Sequence, residues 1–137
     1  MKNLILILSL ASISCIHTIK TKDQVILNSN LSTLVGHWDC DIIGGMYAEF
    51  DFDNDGNYEQ RTYSFNNVKI GGHKGHFKIG KDRLVLFQEQ EYARDNDTGK
   101  GSWYPQIDIV QLGMNIKDND SVTLTISGFN LRLGRKK

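Results

Sequence analysis

Ala48, Phe50 and Phe52 alternate with Glu49 and Asp51, and the same period of two returns at Val122, Leu124 and Ile126 and at Phe129, Leu131 and Leu133. Alternation of this kind makes a strand with one face on a core and one in water. The breaks between runs carry turn chemistry: Asn54-Asp55-Gly56-Asn57, Gly71-Gly72, Gly80-Lys81-Asp82, Gly99-Lys100-Gly101 and Lys117-Asp118-Asn119-Asp120. Asp-Gly is the strongest of these, because glycine takes positive φ without a Cβ clash. The pattern predicts strands over 37–43, 46–53, 57–66, 74–79, 83–92, 105–112, 121–127 and 129–134. One helical turn is expected around Leu31–Val35, capped by Asn30 or Ser32. Short consecutive strands with tight turns favour an all-β, antiparallel up-and-down barrel of about eight strands, since closure removes exposed edges. The bulky inward candidates Phe50, Phe52, Phe77, Leu84, Leu124, Ile126 and Leu131 predict a mostly filled interior.

The first residues follow a different pattern. Lys2 precedes an apolar run from Leu4 to Ile13, then Ser14 and Cys15. A charge, a short greasy stretch and a small residue form a secretory signal, too short to span a bilayer as a mature helix. Ser12-Ile13-Ser14-Cys15 resembles the lipobox of bacterial lipoproteins, which implies cleavage before Cys15 and lipidation of its thiol. Ordinary signal-peptidase cleavage near Ser14 is the alternative. Ile16, not an aspartate, implies by the same resemblance an outer-membrane lipoprotein facing the periplasm. The expected organisation is a signal peptide at 1–14, a lipidated or flexible tether at 15–30, and a barrel domain at 31–137.

Without the signal, 123 of the 137 residues remain, enough for one core. The whole chain has 16 basic and 16 acidic residues, and the signal contains only Lys2. That balance gives no electrostatic reason to expect nucleic acid as a partner. Two cysteines, Cys15 and Cys40, do not make a disulfide scaffold. A lipidated Cys15 leaves Cys40 as a small buried thiol, whereas a free one permits a Cys15–Cys40 bridge.

Gly36-His37-Trp38 opens the first strand, an acidic Asp-Gly hairpin follows at Phe50–Tyr58, and a basic residue stands on the last strand in Leu131-Arg132-Leu133. In these features the chain resembles the lipocalin superfamily, and more closely its short bacterial lipocalin-like members. The resemblance implies a barrel whose floor is closed by Trp38 packed under a late arginine, Arg132 or Arg135, with Arg132 on the strand as the first candidate.

Recognisable catalytic sets are absent from the sequence, and no enzyme activity is expected. Asp51, Asp53, Asp55 and Gly56 match the start of a calcium loop, but position twelve is Thr62 and a solvated hairpin is the expectation. His73 and His76 would leave an extended segment on opposite faces, a poor metal pair. Glu89 and Glu91 are expected on one side of a strand, as a charged face. No metal and no cofactor is anticipated. Tyr92, Trp103 and Tyr104 beside the irregular stretch 94–102 are the candidate binding residues, at a solvated hairpin tip or a lid. The expected role is non-catalytic binding of a small apolar ligand or a surface partner in the envelope. The alternative is an immunity or inhibitor module that neutralises a toxin or protease through that loop.

Overall fold

The computed structural model describes residues 31–137, so the expected signal peptide, the tether and Cys15 lie outside the described residues. A single helical turn, α1 (Leu31–Leu34), leads into eight antiparallel strands that close into a barrel in chain order. They are β1 (Gly36–Asp41), β2 (Tyr47–Phe52), β3 (Asn57–Tyr63), β4 (Lys69–Ile79), β5 (Arg83–Arg94), β6 (Gly101–Asp118), β7 (Ser121–Ile126) and β8 (Phe129–Arg135). The expected all-β up-and-down barrel is therefore the fold. The eight strands that close the barrel and the described core lie within residues 31–137.

Inward positions follow the alternation. Trp38 and Cys40 of β1, Ala48, Phe50 and Phe52 of β2, Phe77 of β4, and Leu84 and Leu86 of β5 are buried in one cluster with Leu112, Met114, Val122, Leu124 and Leu133. Leu34, Trp38, Leu84, Val122, Leu124 and Leu133 are the largest fully buried side chains. Each such aliphatic side chain contributes about 1.5–3 kcal/mol by leaving water. Ile126 and Leu131 pack on the cluster from partly buried positions.

Trp38 lies at the closed end, where its indole N–H donates to the Leu34 carbonyl at 2.7 Å. The arginine over its face is Arg135, with the guanidinium 4.2 Å from the ring centroid. Arg135 also donates to the carbonyls of Thr33, Val35 and Asn119 at 2.7–2.8 Å, stitching the C-terminus of α1 to the seam between β8 and β1. Arg132 is exposed on β8, so the closing role falls to Arg135 and the expectation for Arg132 is corrected. Three residues further along β8, Arg135 lies level with Trp38 in the strand register. Gly36 has φ +132°, and a Cβ there would collide with the Arg135 guanidinium. The Gly-x-Trp sequence thus has a physical reason, a glycine that admits the arginine and an indole that receives it.

Two strands, β4 and β6, exceed their expected lengths by five residues or more. β4 begins at Lys69 because Gly71-Gly72 continues the ladder instead of turning; a Cβ at Gly72 would run into the Gln60 carbonyl of β3. β6 runs through Pro105 for 18 residues. Consequently the irregular stretch 94–102 contracts to a hairpin tip, with the Asp95 N–H donating to the Lys100 carbonyl at 2.8 Å. Of its two expected forms, the tip is the one adopted.

Candidate functional site

A β-bulge at Glu89 decides what the wall of β4–β6 presents. The register slips between Lys74 and Gly75 against β5, and between Gln88 and Gln90 against β6. Glu89 therefore turns out to His76, 3.0 Å away, while Glu91 stands opposite His73. The expectation of both glutamates on one face is corrected by that extra residue. His73 and His76 separate as well, His73 paired across from the buried Gln60 and His76 outward beside Phe87.

Tyr92 and Trp103 are directly opposite on β5 and β6 and meet edge to face, with centroids 5.4 Å apart. Gly72 is the β4 partner of Tyr92 and has no side chain, which leaves room beside the rings. Two lysines fill it: Lys69 Nζ lies 4.0 Å from the Tyr92 centroid and 4.4 Å from that of Trp103, and Lys74 Nζ lies 4.6 Å from Trp103. Such contacts contribute roughly 0.5–1 kcal/mol each at exposed sites. Burial against the rings lowers the Lys69 pKa, opposed by Glu59. Tyr104, the next residue on the strand, points to the opposite face and does not join Tyr92 and Trp103.

Sequence reasoning missed the remainder of this wall. Lys78 Nζ lies 5.5 Å from the Phe87 centroid. Ile107 is 88% exposed and Ile109 38% exposed, on the same outward row as Trp103 and Pro105. Alternation at Ile107 and Ile109 reads as a core face, yet the inward positions are Asp108, opposite the buried Gln88, and Val110, opposite Leu86. The available signal was β4 itself, which carries Lys69, Lys74 and Lys78 without one carboxylate.

The opposite wall, β1–β3, presents acid. Asp39, Asp41, Glu49, Asp51 and Glu59 face outward around Arg61. Arg61 pairs with Asp51, with Glu49 at 3.4 Å and with Glu59 at 3.4 Å; His37 binds Asp51, and Lys136 reaches Glu49 at 2.9 Å. Burial alone would raise the Asp51 carboxyl, but hydrogen bonds from His37 and Arg61 outweigh it and hold its pKa below the ordinary range. Asp51 is thereby committed to this network, and Asp53 accepts the N–H groups of Asp55 and Asn57 in the hairpin turn, so the calcium-like spacing serves ion pairs and a turn. An open concavity of about 670 Å³ extends from this wall onto β4 and β5, lined by His37, Asp51, Glu59, Lys74 and Gln90.

Inside the barrel the apolar cluster gives way to Gln60, Thr62 and Gln88, all buried. Gln60 donates to the Thr62 hydroxyl at 2.7 Å, while Gln60 Oε1 and His73 Nδ1 are buried without partners. Burial is the cause of a lowered His73 pKa, against the pull of Glu91 and Asp108. Cys40 has no disulfide partner among the described residues, and burial pushes its thiol up to about 11. Comparison with protein-family models and with curated proteins returns no match.

Proposed function

We propose that the chain is an exported, lipid-anchored envelope protein with a non-catalytic binding role, exercised through its outer wall and not through a ligand in the barrel. The observation that carries this reading is the contrast between a filled interior and an outward-facing, half-buried Lys69–Lys74–Tyr92–Trp103 cluster continuous with the exposed Ile107 and Ile109. An apolar ligand would have to displace fully buried leucines or lie against unpartnered amide and imidazole atoms, at a cost of about 1–3 kcal/mol per polar group. Aromatic rings with cationic neighbours are, in contrast, favoured contact residues at surfaces.

A partner of the inhibitor-target kind is the second reading. It draws support from Ile43, Phe65 and Phe129, which stand exposed on or beside three turns at the end opposite α1. The first two of those turns adjoin, since a Cβ at Gly45 would lie 3.4 Å from Phe65 Cβ.

The test is a pull-down from envelope extract, combined with native mass spectrometry of the recovered protein. Recovery of a binding partner that Trp103→Ala abolishes is the expected result. A stoichiometric lipid retained by the protein, unaffected by Trp103→Ala and lost when the interior is filled further, would make it a ligand carrier instead.

A further inference from the structure

We infer that the outer wall of β4–β6 docks on an anionic lipid surface, which rests on the surface-binding reading above and names its partner. Outward strand positions of this wall carry Lys69, Lys74, Lys78, Arg83 and Arg94 against two carboxylates, Glu89 and, at the far end of β6, Asp118. Outward positions of β1–β3 carry Asp39, Asp41, Glu49, Asp51 and Glu59 against Arg61 and His37. A chain of zero formal net charge is therefore polarised across its barrel. Electrostatic attraction depends on the face presented, so overall balance does not remove it.

The apolar component is on the same side. Trp103, Pro105, Ile107 and Ile109 form one outward row on β6, flanked by Phe87 and Tyr92 of β5. Lys69, Lys74 and Lys78 hold their ammonium groups 4.0 Å, 4.6 Å and 5.5 Å from the ring centroids of Tyr92, Trp103 and Phe87, beside the row. Aliphatic side chains bordered by tryptophan, tyrosine and lysine match the boundary between acyl chains and head groups, where lysine stems stay apolar and their charges meet phosphate. A protein partner anchored by hot spots wants pockets to fill. This row runs along the outside of a barrel, a shape that a deformable lipid surface accommodates.

Residues 31–137 contain all eight strands of the closed barrel and the described core, and they lack Cys15, so their binding to vesicles reports the wall free of any acyl chain. The domain is expected to sediment with vesicles of phosphatidylcholine containing phosphatidylglycerol and to stay in solution with phosphatidylcholine alone. Lys74→Gln and Lys78→Gln together should weaken binding about 25-fold, from about fivefold for each lysine. Ile107→Asp should weaken it about tenfold or more. Because Ile107 is 88% exposed, that variant should keep the parent melting curve. Sedimentation with neither vesicle, or equally with both, overturns the inference. If vesicles fail while the envelope pull-down still yields an acidic protein that Trp103→Ala abolishes, lipid is the wrong partner and the surface-binding reading stands. If both fail, that reading falls too.

Discussion

The two walls of this barrel hold similar numbers of charged side chains and use them differently. On β1–β3, Arg61 is shared among Asp51, Glu49 and Glu59, and Lys136 closes onto Glu49 from beyond β8. Those charges are matched within the protein. On β4–β6, Lys69 and Lys74 rest on the rings of Tyr92 and Trp103. A ring attracts an ammonium group without consuming its hydrogen-bond donors, so Lys74 stays available to anions outside, while Lys69 also has Glu59 at 4.0 Å. The difference separates charge that builds the barrel from charge it can present to something else.

The largest expected effect lies at the seam that completes the acidic wall. Arg135→Ala removes the cation over Trp38 and leaves three carbonyl partners unmatched, which should cost about 3 kcal/mol in urea unfolding. Arg132→Ala on the same strand should stay within about 0.5 kcal/mol. Equal losses would refute the assignment of the closing role to Arg135.

Next in size is Arg61→Ala. Discounted for the partial exposure of its partners, the loss should be about 1.5 kcal/mol, against about 0.5 kcal/mol for Lys74→Gln on the other wall. If the lysine substitution costs as much as the arginine one, the walls do not differ as described.

Acid should separate the walls further. The Asp51 and Glu49 pKa values are lowered in the folded state, so their contribution is present above the ordinary carboxyl range and lost as pH falls through and below it. His73 is lowered by burial, so the unfolded chain takes up its proton first and stability starts to fall as pH drops below the ordinary imidazole value. His73→Gln should remove that upper step and retain the carboxylate step. An unchanged upper step would assign it to a different group. The smallest expected effect is chemical: Cys40, with its thiol near 11, should react with iodoacetamide in the native state far more slowly than after unfolding.

The strand order and most of the core were legible because Phe50, Phe52, Leu124 and their neighbours alternate cleanly between glycine- and aspartate-rich turns. β4 and β6 were foreshortened for a common reason. Gly71-Gly72 and Pro105 are turn formers by local preference, and long-range pairing with β3 and β5 overrides that preference. Of the candidate site, Tyr92 and Trp103 were legible as aromatics near a loop, but Lys69 is distant from them in sequence and joins only through the register of β4 on β5. The bulge at Glu89 was not legible, because its extra residue shows only when three strands are laid side by side. The Gly-x-Trp resemblance pointed correctly to a late arginine but not to which one, since that depends on where β8 meets β1.

The claim that function resides on the outer wall is tested most directly by Trp103 fluorescence with vesicles containing brominated phosphatidylglycerol. Trp38 is fully buried, so a change on mixing reports Trp103. Blue-shifted and quenched emission, reversed by high salt and absent with phosphatidylcholine alone, is the predicted result. Emission that stays unchanged, from a protein that retains stoichiometric lipid in native mass spectra, would contradict the account and move the binding site inside the barrel.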